Sequence, residues 1–360
     1  MNTPHPSVMY DGAGLDGNGA VERRVAAPIK AALFGNTGMG GEEVESVYGN
    51  GRLERLGRTT QLYPVRVTSD NFDRCLPDLE KVQVIFATWG LFPLTDAHLD
   101  RMPALRALFY AAGTVKFFAR PLLERGITVV NAAAANALPV AEFTLGQILL
   151  ANKGYWRNVR EYGRAEDYLR AFRGRGNYRT TVSLLGAGQI GGRVIELLRP
   201  FQLDVLVFDP YLSEEEAARL GVRSASLSQA FARGDVVSNH LANVPATEGL
   251  LNGALFSLMR PNTTFINTGR GRTVNEAEMI EVLRGRGDIT ALLDVTDPEP
   301  CPEESPLRTL PNVTITSHIA GSQKEEIGRL SELMLEEFEA WRAGRPLRHA
   351  VTMSMLETLA

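Results

Sequence analysis

TVSLLGAGQIGGRVIELLRPF, residues 181–201, is the stretch on which the fold turns. A continuous apolar run ends at Gly186, two further glycines follow at Gly188 and Gly191, and an amphipathic pattern starts at once. Gly186 permits a tight turn, Gly188 lets backbone approach a pyrophosphate, and Gly191 lets the new helix sit close to the strand. The N-terminus of that helix then faces the anion. A bare glycine triplet is common in ordinary turns, but this one joins a strand to a helix. The next strand, DVLVF, ends at Asp209, 18 residues beyond Gly191. A carboxylate there accepts hydrogen bonds from a ribose diol and repels a 2′-phosphate, which selects NAD over NADP. Gly186, Gly188, Gln189, Ile190, Gly191 and Asp209 are therefore the candidate cofactor residues.

Outward from this motif the same scheme recurs. Apolar runs at 235–241, 263–267, 289–295 and 313–317 follow it, with helical patterns at 193–201 and 275–286. Before it lie runs at 31–34, 82–89, 105–110 and 127–131. Continuous apolar strands alternating with helices predict parallel sheets covered on both faces. The fold class is α/β, with two doubly wound parallel-sheet units. Pro139 to Lys153 is apolar all round and predicts a buried helix. Gly154 to Phe172 is rich in Arg, Glu, Tyr and Trp, and is expected to reach out as an arm or pack on a second subunit. A further amphipathic helix is expected over 322–343. Residues 1–26, rich in Gly, Pro, Asn and Asp, read as a mobile tail. An earlier glycine cluster, Gly35 to Gly41, lacks the triplet spacing, the Walker lysine and a strand-end acid. It reads as a plain strand-to-helix turn.

Composition excludes several functions. The chain has 360 residues, 44% of them hydrophobic and 22% charged, more than twice the usual domain size of roughly 150. Its 38 Lys and Arg against 42 Asp and Glu argue against a nucleic-acid or polybasic membrane surface. Cys75 and Cys301 form no disulfide framework and suit a reducing, cytoplasmic setting. The apolar stretch 132–151 is interrupted by Asn136, Glu142, Thr144 and Gln147, so no membrane span is expected, and the N-terminus has no signal-peptide core. No metal-ligand spacing stands out.

In parallel α/β sheets chemistry sits beyond the carboxyl ends of strands. After TTFIN comes Thr268-Gly269-Arg270, after ITALLDV comes Thr296-Asp297-Pro298-Glu299, and after VTITS comes His318. Singly, these are a surface charge, a solvated loop acid and a structural histidine. Together, at the edge that carries the glycine loop, they form a set. Arg270 can clamp a carboxylate and polarise a neighbouring carbonyl. His318 can give a proton to that carbonyl oxygen or take it back. Glu299 can hold the imidazole tautomer. With hydride carried by a nicotinamide, that chemistry interconverts a 2-keto acid and a 2-hydroxy acid.

At these residues the sequence resembles the D-isomer-specific 2-hydroxyacid dehydrogenase family. The resemblance rests on Val140-Ala141-Glu142, LLGAGQIGGRV with Asp209, Asn267 to Gly271, Leu293-Asp294-Val295 leading to Glu299-Pro300, and Thr316 to Gly321. It implies a Rossmann cofactor domain inserted in a flavodoxin-like substrate domain. The implied division is 27–133 for the first part of the substrate domain, 134–320 for the NAD domain, and 321–360 for a C-terminal helix returning to the first lobe. Hinges fall near Ala133 and Gly321. The resemblance makes Arg270, Glu299 and His318 catalytic, sets Asp294 on the nicotinamide carboxamide, and adds cofactor contacts at Pro245, Thr268 and Gly269. It places the substrate carboxylate on the backbone amides of Ala112 and Gly113. It also implies a homodimer formed through the cofactor domain.

Some positions depart from the family pattern. Asn131-Ala-Ala-Ala-Ala-Asn136 replaces the usual Asn-x-Pro-Gly-x-Asn. The stretch 238–247 is about two residues longer than usual, so His240 is not expected to be the family's loop histidine, whose place Asn243 takes. Arg272 competes with Arg270, but the Asn-x-x-Arg-Gly frame favours Arg270. The leading reading is an NAD-dependent dehydrogenase acting on a D-2-hydroxy acid. The alternative is an NAD-sensing, corepressor-like regulatory protein. For the substrate pocket, Trp89, Phe92 and Tyr110 are candidates of equal standing, and WGLFP (89–93) reads equally as a substrate-facing loop or as packing. A phosphoglycerate substrate calls for a cationic cluster, and the loop near Ala111 offers Lys116 alone.

Overall fold

The computed structural model describes residues 28–38 and 41–357, so the expected tail over 1–26 lies outside the described residues. Among the described residues the strands form two wholly parallel sheets. The first comprises β1 (Ile29–Phe34), β2 (Thr60–Leu62), β3 (Val84–Ala87), β4 (Ala107–Tyr110) and β5 (Thr128–Asn131), in the order β2-β1-β3-β4-β5. The second comprises β6 (Thr181–Leu185), β7 (Asp204–Phe208), β8 (Arg223–Ser224), β9 (Val236–Asn239), β10 (Thr264–Asn267), β11 (Thr290–Leu293) and β12 (Val313–Ile315). Its order is β12-β11-β10-β9-β6-β7-β8. The first order is flavodoxin-like and the second is the dinucleotide-binding order, whose strand sequence reverses between β6 and β9.

Successive side chains along a strand point to opposite faces. In the first sheet Phe34, Ile85 and Leu108 enter one core, and Leu33, Phe86 and Phe109 enter the other. The second core is closed from the far end of the chain. Helix Ile327–Arg342 lays Leu330, Met334 and Phe338 on it, with the Phe338 ring edge-on to Phe86 at 5.1 Å and to Phe109 at 5.6 Å. Glu337, 1% exposed, is satisfied there by the amides of Arg348 and His349. The chain then pairs Ala350 with Val130 of β5. Residues 327–351 thus complete the first lobe.

Helix Ala133–Asn152 joins the lobes and begins six residues before the expected Pro139. By length and composition alone it could cross a membrane. Its Ala141, Ile148 and Ala151 instead belong to the core of the second sheet, together with Val194 of helix Gln189–Leu198. The expected arm resolves into short pieces, Tyr155–Glu161, Ala165–Asp167 and Tyr168–Ala171. They leave Val159, Leu169 and Phe172 at 62%, 80% and 75% exposure. Sequence patterning missed β2 and β8. Each is an edge strand of two or three residues with no fully apolar run, and pairing rather than composition makes it a strand.

Candidate active site

The glycine loop connects β6 to helix Gln189–Leu198. Gly186 has φ +95°, and a Cβ there would stand 2.7 Å from the His240 carbonyl oxygen. A Cβ on Gly191 would stand 2.0 Å from the Gly186 oxygen, so helix and strand touch through bare backbone. A Cβ on Gly188 meets nothing within 4 Å. The loop therefore presents one open face, at the start of a ten-residue helix whose first amides have no intrahelical acceptors. Asp209, at the end of β7, accepts the Ala187 amide at 2.7 Å and the Tyr211 amide at 2.8 Å. Each carboxylate oxygen keeps a second lone pair, enough for a sugar diol.

Beside it, the carboxyl ends of β9 and β10 are braced by buried amides. Asn239 Nδ2 donates to Asn267 Oδ1 at 3.0 Å and to Thr273 Oγ1 at 2.8 Å, and the Gly269 amide donates to Asn267 Oδ1 at 3.1 Å. Thr268 Oγ1 lies 3.1 Å from Thr144 Oγ1 of the joining helix. This scaffold holds Arg270 half-buried, with Nη1 on the Gly269 carbonyl at 2.7 Å. Burial pulls its guanidinium below the ordinary arginine range, and the Glu299 charge partly restores it. Arg272 is exposed and pairs with Asp297 at 3.7 Å, so only Arg270 turns to the site.

A Cβ on Gly271 would fall 2.1 Å from the Thr296 carbonyl carbon, so the arginine loop and the Glu299 loop are in backbone contact. Glu299 Oε1 stands 2.6 Å from His318 Nδ1, with both side chains partly open to solvent. His318 itself has φ +58°, an uncommon backbone state for a residue with a side chain. Asp294 holds it there. Its carbonyl accepts the His318 amide at 3.0 Å, and its carboxylate accepts Thr316 Oγ1 at 2.6 Å, the Ile319 amide at 2.8 Å and the Ala320 amide at 3.0 Å. Asp294, expected against the nicotinamide, is 2% exposed, with both oxygens bonded to the histidine loop.

The facing lobe contributes the loop after β4. The Ala112 amide closes a three-residue turn on the Tyr110 carbonyl at 2.8 Å and is not free to receive a carboxylate, which corrects the expectation for that residue. The Gly113 amide donates to no group among the described residues. Lys116 Nζ crosses to the Asn243 carbonyl at 2.6 Å, two residues before the exposed Pro245. The two chain crossings also meet: Asn136 Oδ1 accepts the Ser322 amide at 3.0 Å. The Lys116, Asn136 and Ser322 contacts were not foreseen, because long-range polar pairs leave no local pattern. The earlier glycine cluster leads only to the four-residue helix Val44–Val47, in keeping with its reading as a turn.

Residues 146–320 match the family model described as D-isomer specific 2-hydroxyacid dehydrogenase, NAD binding domain. D-3-phosphoglycerate dehydrogenase of Archaeoglobus fulgidus is 30% identical over 65% of this chain, which spans 44% of that protein's length. The putative 2-hydroxyacid dehydrogenase YoaD of Bacillus subtilis is 32% identical over 62% of this chain and 66% of its own. Among solved structures, D-2-hydroxyisocaproate dehydrogenase superposes with a TM-score of 0.73 over 90% of this chain and 100% of its own, at 20% identity. The chain belongs to the D-isomer-specific 2-hydroxyacid dehydrogenases. Its cofactor is NAD. The open face at Gly188 and the acceptor Asp209 fit that group.

Two titratable groups near the site of this family member have clear structural roles. His240 lies beneath the glycine loop with Nε2 on Ser238 Oγ at 2.9 Å, and burial lowers its imidazole to about 4. It is a neutral structural residue, a role the sequence did not indicate. Glu276 accepts the Asp297 amide at 2.8 Å, anchoring the loop that carries Glu299. Burial raises its carboxyl to about 7, aided by the neighbouring Asp297 charge and opposed by that hydrogen bond. Between its ordinary value of 4.5 and about 7 the folded chain retains a proton that the unfolded chain has lost. Stability from this group therefore falls as pH rises through that window. Glu276→Gln keeps an acceptor for Asp297 and removes the titration. In thermal melts its Tm should fall less than wild type between pH 5 and pH 8, and parallel profiles would rule the assignment out.

Proposed function

We propose that this chain is an NAD-dependent oxidoreductase that interconverts a 2-keto acid and a D-2-hydroxy acid in the cleft between its two lobes. The carrying observation is the 2.6 Å contact of His318 Nδ1 with Glu299, beside half-buried Arg270, on the edge that bears the glycine loop. A desolvated guanidinium seeks an anion, and a 2-keto carboxylate offers one with its carbonyl adjacent. Glu299 fixes the ring with Nδ1 as donor, leaving Nε2 to give a proton to the ketone oxygen, or to take it from the alcohol in reverse. The bound nicotinamide supplies or accepts the hydride. The sum is keto acid, NADH and a proton going to hydroxy acid and NAD. Asp294 acts as a positioning residue by keeping His318 in its left-handed backbone state. Gly113 receives the substrate carboxylate from the facing lobe.

The same reading takes 27–133 with 321–360 as the substrate lobe and 134–320 as the cofactor lobe. It assigns the exposed arm around Leu169 and Phe172 to a homodimer, and the reduced, buried Cys75 and Cys301 to the cytoplasm. A panel of 2-keto acids with NADH, followed by loss of absorbance, tests it; a regulatory NAD sensor would consume none. Arg270→Lys should raise KM for the keto acid about tenfold or more, since a point charge replaces a planar fork. An unchanged KM in steady-state assays would remove Arg270 from the substrate.

A further inference from the structure

Trp89 follows Thr88 at the carboxyl end of β3, the middle strand of the first sheet. It packs against the hydrophobic clusters on both faces of that sheet and stays half-buried. Only a side chain lying over the strand ends can touch both faces, so the indole caps the edge that carries the Gly113 loop. Its position is fixed. The turn after it needs Gly90, at φ +91°, where a Cβ would stand 2.3 Å from the Asn36 carbonyl oxygen. The other two aromatic candidates are spoken for. Phe92 stacks on Phe34 in the core, and Tyr110 is buried against Phe118.

The cations of this edge are also engaged. Among the described residues the loops after β1 to β5 carry Arg66 and Lys116. Arg66 pairs with Glu43 and Glu45, and Lys116 holds the Asn243 carbonyl. Glu42 adds a carboxylate next to Trp89: a Cβ on Gly38 would meet Glu42 Oε2 at 2.8 Å and Trp89 Cβ at 3.1 Å. An edge with paired cations, an acid and an indole does not favour a phosphate. With the carboxylate and carbonyl of the substrate taken by Arg270 and His318, the remaining substituent of the keto carbon is left to this edge.

We propose that Trp89 is the specificity wall of the cleft, and that the substrate is a 2-keto acid with an uncharged branched or aromatic side chain rather than a phosphorylated one. The proposal rests on the oxidoreductase reading above. It sets this chain apart from the relatives that carry the name phosphoglycerate dehydrogenase.

The test compares kcat/KM with NADH for 4-methyl-2-oxopentanoate, phenylpyruvate, pyruvate and 3-phosphohydroxypyruvate. The branched or aromatic acid should exceed pyruvate by about tenfold or more, the discrimination an apolar pocket gives, and should exceed the phosphorylated acid by more. Trp89→Ala should lose about tenfold on the favoured acid, chiefly in KM, with pyruvate little changed. Trp89→Phe, which keeps a ring over the edge, should retain the fold and most of the activity on the favoured acid. Turnover led by 3-phosphohydroxypyruvate, or equal losses on all acids in both variants, overturns the proposal while leaving the dehydrogenase reading intact. No turnover with any keto acid overturns both.

Discussion

Replacing His318 by Gln is expected to lower kcat by roughly a hundredfold to ten-thousandfold, the range that a positioned general acid contributes. NADH affinity should stay near that of the unaltered chain, because Asp209 bonds to the glycine loop and the His318 ring bonds to Glu299, with no hydrogen bond between the two sets among the described residues. Glutamine has similar length and can still donate to Glu299, but it cannot exchange a proton with a ketone oxygen. The backbone requirement is shared by both residues, since each must sit at φ +58° and be held by the Asp294 carbonyl. A loss of catalysis with unchanged Tm and unchanged NADH titration would therefore report proton transfer alone. Near-normal turnover in this variant would remove His318 from the reaction.

The second large effect separates two glycines three residues apart: Gly188 and Gly191 both belong to the glycine loop, yet for different reasons. Gly191→Ala drives a methyl to 2.0 Å from the Gly186 oxygen, and Gly186 at φ +95° cannot easily retreat. Overpacking of this kind costs about 1–3 kcal/mol or more, which in a chain of 360 residues means a Tm loss of roughly 1–4 °C. Cofactor binding should fall with it, because the start of the helix is displaced. Gly188→Ala adds a methyl to open space and should leave Tm unchanged. It should still weaken NADH binding tenfold or more, since that methyl enters the face a pyrophosphate approaches. Calorimetry and NADH fluorescence titration on both variants distinguish the roles. If Gly188→Ala binds NADH normally, the open face is not the phosphate site.

Much of the architecture was legible because its causes are local. VIFA in β3 and ALFY in β4 are buried on both faces, and such strands need an uninterrupted apolar run that can be read residue by residue. The glycine loop was legible for the same reason, since the positive φ of Gly186 and the close approach of Gly191 to the Gly186 oxygen are demands within a few residues of chain. Arg270, Glu299 and His318 were found from their positions after strands, because in a parallel sheet all strand ends fall on one edge. The strands TQL and RS were not legible: edge pairing defines them, and an edge pair has no hydrophobic signature. Nor was the true partner set of Asp294, since its donors lie 22 to 26 residues away and belong to the backbone as often as to side chains.

By itself, then, the order of residues determined the two α/β units, the glycine loop with Asp209 at the next strand end, and the three groups at strand ends. Tertiary structure alone decided that the Ala112 amide is already taken, and that of three aromatic candidates only Trp89 stands at the edge. The physical reason is range. Backbone sterics and apolar periodicity act within a few residues and are written in the chain, whereas burial, charge pairing and hydrogen-bond saturation depend on neighbours that only folding brings together.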